Sequence, residues 1–170
     1  DATNVLIDSG KVDKNRICIY GHSYGGYAAL MGAAREPGLY QCAIGSMGVY
    51  NLPMMFEEGS IHELVNGVAY LKNVLGNNLA DQQSRSPAFN ADKIKADVLL
   101  IHGNQDERVP MEQVESMREA FDKIGKDYQW LELEKEGHGI RDPKNKVKNY
   151  KTVLEFLDKN IGAKRSSTGQ

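Results

Sequence analysis

The chain has 170 residues, of which 41% are hydrophobic and 26% charged, and its formal net charge is −2. This length and balance suit one soluble globular domain with a sizeable buried core. The lack of a basic excess argues against a nucleic-acid partner, and no apolar run reaches the roughly 20 residues of a membrane span. The composition does not decide the cellular compartment.

Short apolar runs alternate with longer helical patterns along the chain. In chain order, the sequence predicts a helix end at 2–7, a strand at 16–20, a helix at 23–35, a strand at 41–46, an irregular to helical stretch at 49–75, a polar connection at 77–92, a strand at 97–102, a helix at 111–124, a strand at 128–133 and a helix at 145–161. This alternation is typical of an α/β protein with a mostly parallel sheet and helices on both faces.

The two cysteines, Cys18 and Cys42, each lie in a predicted strand. Free cysteine is among the most buried residue types and packs like a small hydrophobic side chain. We therefore expect two buried free thiols here, rather than a disulfide or a pair of metal ligands.

The pattern G-x-S-x-G occurs at residues 21–25, between a predicted strand and a predicted helix. In this context the pattern predicts a nucleophile elbow, a tight strand-to-helix turn that exposes a serine hydroxyl at the carboxyl edge of the sheet. Ser23 is the predicted nucleophile. The backbone N–H of Tyr24, at the start of the helix, is the predicted donor to the oxyanion that forms during acyl transfer.

A serine hydroxyl needs a base, and the base needs a group that orients it. Asp106 follows the third predicted strand and His138 follows the fourth, so both are expected at the same sheet edge as Ser23. The chain order Ser, Asp, His is that of the α/β-hydrolases. We predict that His138 moves the proton and that Asp106 orients the imidazole and stabilises its cation.

The other three histidines have simpler interpretations. We expect His22 to pack beside the elbow, His62 to face solvent, and His102 to hydrogen-bond to the loop that carries Asp106. None has a second ligand at helical spacing, so the sequence predicts no metal site, and it predicts no cofactor.

Four segments carry a resemblance to a known family: 12–17, 21–27, 102–110 and 136–139. Together they resemble the prolyl oligopeptidase family of serine peptidases, in its dipeptidyl-peptidase and acylaminoacyl-peptidase branches. The resemblance implies cleavage of short peptides through a covalent acyl-enzyme. It also implies that the pocket for the substrate residue before the cleaved bond is formed by Met47, Val49, Tyr50 and Val109.

The resemblance also implies that residues 1–163 are the C-terminal part of an α/β-hydrolase catalytic domain, followed by a polar tail at 164–170. A β-propeller, the first strands of the sheet and a tyrosine hydroxyl that donates to the oxyanion would then precede residue 1. Strand 16–20 would become an exposed edge, which favours association. We expect the chain to self-associate through this edge or to pair with the missing half.

Three interpretations of function stay open at this point. The first is a serine peptidase fragment that is weak or inactive alone. The second is a carboxylesterase or lipase, since these enzymes share the same triad. The third is a folded module without catalytic activity, because losing one oxyanion donor costs about 10²–10³ in kcat.

Overall fold

The computed structural model describes residues 2–163, so the predicted tail at 164–170 lies outside the described residues. Four strands form one sheet in the order β1-β2-β3-β4, and each neighbouring pair is parallel. The strands are β1 (Cys18–His22), β2 (Cys42–Ser46), β3 (Asp97–Gly103) and β4 (Gln129–Leu133). The predicted α/β class with a parallel sheet is confirmed.

Helices connect the strands, as parallel pairing requires. The α-helices are α1 (Ala2–Asp8), α2 (Tyr24–Arg35), α3 (Gly67–Leu75), α4 (Leu79–Ser84), α5 (Met111–Lys123) and α6 (Pro143–Ile161), and two 3₁₀ helices span Pro53–Phe56 and Pro87–Lys93. The predicted polar connection at 77–92 contains α4 and most of the second 3₁₀ helix, two helices that the sequence does not predict. Its polar residues include a helix cap: the Asn78 side chain accepts a hydrogen bond from the Asp81 N–H.

Helices cover both faces of the sheet. On one face, α2, α5 and the second 3₁₀ helix pack against alternate strand residues such as Ala43 and Leu100. On the other face, α6 packs against the residues in between, such as Ile44 and Ile101. Strands buried on both sides lack a polar face, which explains the continuous apolar runs in the sequence.

Cys18 and Cys42 form a disulfide between β1 and β2. The expectation of two free thiols is therefore wrong. The strand register places the two residues directly opposite each other, with their Cα atoms 4.6 Å apart, which lies within the range of disulfides. The bridge closes a loop that contains Ser23 and the whole of α2.

β1 lies at one end of the sheet. Among the described strands it pairs only with β2, so the backbone groups on its other side have no strand partner within residues 2–163. Tyr20 on this strand is 52% exposed. Across the described helices, none has both the length and the apolar character that a bilayer crossing needs.

Candidate active site

Ser23 occupies the tight turn between β1 and α2. Its φ is 57°, a value that costs free energy for a residue with a side chain. The turn is held by two backbone hydrogen bonds, from the Ser23 N–H to Ser46 O at 2.8 Å and from the Gly26 N–H to Ser23 O at 2.9 Å. A side chain at Gly21 would overlap the backbone of Gly25. The turn therefore needs glycine at position 21, where the two stretches of backbone approach each other.

The structure brings the three predicted catalytic side chains together. The distance from His138 Nε2 to Ser23 Oγ is 2.8 Å, and the distance from His138 Nδ1 to Asp106 Oδ2 is also 2.8 Å. A carboxylate only accepts, so the neutral imidazole carries its proton on Nδ1. Nε2 is then the acceptor for the Ser23 hydroxyl proton.

The Asp106 carboxylate is held in place through Oδ1, the oxygen that does not contact His138. Oδ1 accepts the backbone N–H groups of Arg108 and Val109, both at 3.0 Å. Burial acts to raise the pKa of Asp106, but the hydrogen bonds from His138 and from the Val109 N–H outweigh it, and the pKa lies below its ordinary value. The carboxylate is therefore ionised at neutral pH and can stabilise an imidazolium.

His102 is fully buried beneath the loop that carries Asp106 and Val109. Its Nε2–H donates to the Val109 carbonyl oxygen at 2.8 Å, which confirms the expected hydrogen bond to the loop that carries Asp106. Burial is the main cause that lowers the pKa of His102. The neutral ring thus helps to fix Val109, whose N–H contacts the Asp106 carboxylate.

His22 lies beside the site. Its Nδ1 is 3.3 Å from Ser46 Oγ, and its ring centroid is 5.3 Å from that of His138. This agrees with the expected packing role next to the elbow.

We expect the free energy of unfolding to fall as the pH decreases below about 6.5, the ordinary pKa of histidine. The pKa of His102 is lowered in the folded chain, so between that value and 6.5 the unfolded chain binds more protons, and acid favours unfolding. Asp106, whose pKa is also lowered in the folded chain, adds a second decrease in the free energy of unfolding as the pH falls below its ordinary pKa of 3.8. Urea denaturation at pH 7, 6 and 5 measures how steeply the free energy of unfolding changes with pH. His102→Gln keeps a donor for Val109 and should reduce the slope of stability against pH, with the remainder due to His22, whose pKa burial also lowers. An unchanged slope would contradict the assignment to His102.

A cavity of about 490 Å³ opens beside Ser23. Val109 and Val49, two of the four residues that the resemblance assigns to the substrate pocket, line it together with the exposed Tyr24 side chain. Most of the remaining wall is apolar and includes Tyr27, Leu52, Met55, Leu71, Val74 and Leu75. The charged side chains on the wall are Glu58, Arg85 and Arg108.

Two of the predicted pocket residues do not reach this cavity. Met47 and Tyr50 are fully buried. Met47 packs in the core on the α6 face of the sheet, and Tyr50 packs on the opposite face with α2 and α5. The prediction for these two residues is therefore corrected to core packing. α3 lies within the stretch 49–75 that the sequence predicts as irregular to helical. Its contribution to the cavity wall, through Leu71, Val74 and Leu75, was not predicted.

Gln113 of α5 holds the loop that carries Val49. Its side chain is buried, its Oε1 accepts the N–H groups of Tyr50 and Asn51 at 2.9 and 2.8 Å, and its Nε2 donates to Asn51 O at 3.0 Å. One side chain thus satisfies three backbone groups and fixes the cavity wall next to Ser23.

Tyr24 is the first residue of α2. The first N–H groups of a helix have no acceptor within the helix, and they lie at the positive end of its dipole. The Tyr24 N–H is therefore available to a negative charge that forms next to Ser23.

The sequence profile of the prolyl oligopeptidase family matches residues 1–164. The chain belongs to this family. The family resemblance in the sequence is therefore confirmed, and the similar proteins of this family are peptidases. One of them is dipeptidyl peptidase family member 6 of Caenorhabditis elegans, which is 27% identical over 95% of this chain and 23% of its own length.

Solved structures of prolyl oligopeptidase-family peptidases are also similar. A puromycin-hydrolysing peptidase of Mycobacterium tuberculosis is 28% identical, has a TM-score of 0.86, and is matched over 95% of this chain and 24% of its own. An acylaminoacyl peptidase in complex with Z-Gly-Gly-Phe-chloromethyl ketone is 28% identical with a TM-score of 0.83, over 95% and 26% of the two chains. The chain thus spans about a quarter of the length of these relatives.

Proposed function

We propose that this chain carries the catalytic residues of a serine peptidase, with Ser23 as nucleophile, His138 as base and then acid, and Asp106 as the group that orients His138. The observation that carries the proposal is the pair of 2.8 Å hydrogen bonds that joins the three side chains. Family membership supports a peptide substrate over the simple ester of a carboxylesterase or lipase.

The proposed reaction has two acyl-transfer steps. Ser23 Oγ attacks the peptide carbonyl carbon as His138 Nε2 takes its proton, and the carbonyl oxygen becomes an oxyanion that the Tyr24 N–H stabilises. His138 then gives the proton to the leaving amine as the C–N bond breaks. Water attacks the resulting ester with His138 again as base, and this step releases the acid and restores Ser23.

Labelling by a fluorophosphonate tests the nucleophile. We expect intact mass spectrometry to detect one phosphonyl adduct on the wild-type chain, located at Ser23 by peptide mapping, and no adduct on Ser23→Ala. Modification at another residue would overturn the assignment. An unlabelled but folded chain would favour the module without catalytic activity.

We propose that the substrate residue whose carbonyl is attacked has a large apolar side chain. The cavity next to Ser23 supports this, because its wall is mostly apolar and such pockets select by burying apolar surface. The acylaminoacyl peptidase complex supports it too, because that relative binds a ketone inhibitor with phenylalanine at the reacting end.

Val74→Asp is expected to slow modification of Ser23 by a phenylalanyl phosphonate at least about 10-fold, because a charged group would then line the apolar pocket. Val74 lines the cavity and is 54% exposed, so the variant should fold. Val68→Asp is the matched control. Val68 lies on the same helix and is 37% exposed, but it is outside the cavity lining. Equal rates for the two variants would contradict the proposed pocket.

We further propose that the free edge of β1 is covered, in the working protein, by the rest of a longer polypeptide. The shared family and the quarter-length match support this. An exposed, partly apolar strand edge tends to pair with another chain. We therefore expect light scattering to show that the isolated 170-residue chain self-associates, and a monomer at high concentration would contradict this.

A further inference from the structure

The buried carboxylate of Glu136 has no part in the reaction proposed above. Glu136 is 3% exposed and lies two residues before His138. Its Oε2 accepts the N–H of Arg141 at 2.9 Å, and its Oε1 accepts the N–H of Asp142 at 2.9 Å and the Asn145 side-chain amide at 3.0 Å. Glu136 therefore joins the start of the His138 loop to the start of α6.

The same residue is also tied to the Asp106 loop. Its backbone carbonyl oxygen accepts the N–H of Gln105 at 2.9 Å. A side chain at Gly103 would overlap this carbonyl group, so the two loops are in close contact. Glu136 thus contacts the loops of both His138 and Asp106.

The residues on either side of His138 allow its backbone many conformations. Gly137 and Gly139 flank His138, and glycine restricts the backbone less than any other residue. These two glycines form an isolated antiparallel bridge. Besides the bridge and the imidazole's own hydrogen bonds, contacts at the ends of the loop therefore help to hold His138 in place, and the Glu136 carboxylate supplies them on the side of Arg141 and Asp142.

The site requires a carboxylate rather than an amide. Two backbone N–H donors approach different oxygens of Glu136, so an amide NH₂ group would face one of them. Burial acts to raise the pKa of Glu136, but the hydrogen bonds from Arg141, Asn145 and Asp142 outweigh it, and the pKa lies below its ordinary value. The group is an anion near the N-terminus of α6, where the helix dipole also favours a negative charge.

We propose that Glu136 is a positioning residue: its buried carboxylate holds the loop 137–142 so that His138 reaches both Ser23 and Asp106. This inference rests on the function proposed above. Displacing a reacting group by about 1 Å can cost about 10²-fold in rate, so loosening this anchor should act on the chemical step.

The test compares Glu136→Gln with Glu134→Gln. Glu134 is an exposed acidic residue in the same turn, so its variant controls for the loss of one charge. We expect Glu136→Gln to slow fluorophosphonate labelling of Ser23 by about 10- to 100-fold, and Glu134→Gln to label within about twofold of wild type. Ile140 packs against the core on the α6 face, so the loop should stay attached and the variant should fold.

Two further readouts separate positioning from general loss of structure. The low-field proton resonance of the His138 Nδ1–H, which donates to Asp106, should broaden in Glu136→Gln while the far-UV circular dichroism spectrum stays unchanged. Asn145→Ala removes one of the three donors to Glu136, and should slow labelling in the same direction by a smaller factor. This second variant decides the question if Glu136→Gln does not fold.

The outcomes distinguish the two proposals. Equal labelling of Glu136→Gln and Glu134→Gln, with the wild type labelled at Ser23, would overturn the role of Glu136 alone. The same holds if Glu136→Gln does not fold and Asn145→Ala labels like the wild type. Failure of the folded wild-type chain to label would overturn the proposed function, and the role of Glu136 with it.

Discussion

Asp106→Asn is expected to slow fluorophosphonate labelling of Ser23 by about 10⁴-fold while the chain stays folded. Oδ1 of Asp106 accepts two backbone N–H groups, so the amide oxygen of asparagine must take this position. The amide NH₂ group then faces His138 and donates to Nδ1. The imidazole proton moves to Nε2, which can no longer accept the Ser23 proton.

Glu107→Gln is the matched control for this experiment. Glu107 is the neighbouring acidic residue and its side chain is exposed, so we expect labelling within about twofold of wild type. Thermal unfolding of both variants checks that the fold persists. A loss of less than about tenfold in folded Asp106→Asn would show that Asp106 does not set the tautomer of His138.

Removing the disulfide with Cys18→Ala and Cys42→Ala is expected to lower the free energy of unfolding by about 3 kcal/mol. The two cysteines are 24 positions apart, and a crosslink of this span removes conformational entropy from the unfolded chain. Urea denaturation of the wild type and the double variant, both without reductant, measures the difference.

Reductant provides the control for the disulfide. Dithiothreitol should lower the stability of the wild type toward that of the double variant, and should leave the double variant unchanged. A wild-type chain whose urea midpoint does not respond to reductant, although mass spectrometry shows two free thiols, would contradict the predicted contribution of the crosslink.

The general position of the candidate site could be predicted from the sequence because it depends on local rules. Ser23, Asp106 and His138 each follow a predicted strand, and parallel strands bring such residues to one edge of the sheet. The triad order and the flanking motifs were enough to identify the family. The catalytic roles themselves stay predictions until labelling tests them.

The features that could not be predicted from the sequence depend on strand register and on long-range packing. Whether Cys18 and Cys42 face each other depends on the pairing of β1 with β2, and a shift of one residue would separate them. Met47 and Tyr50 were assigned to the pocket by resemblance, but the core on the two faces of the sheet buries them. The helical character of the stretch that holds α3 was predicted, but its place in the cavity wall was not, because it depends on how α3 packs beside the turn that carries Ser23.

The hydrogen bond between Ser23 and His138 joins residues that are 115 positions apart. Contacts between residues so far apart in sequence tend to form later in folding than local contacts, because the chain between them must first be closed into a loop. The reactivity of Ser23 should therefore be a kinetic signal for the last steps of folding. In a refolding experiment, helical circular dichroism should recover before Ser23 becomes reactive, since β4 must first join the sheet and bring His138 next to Ser23.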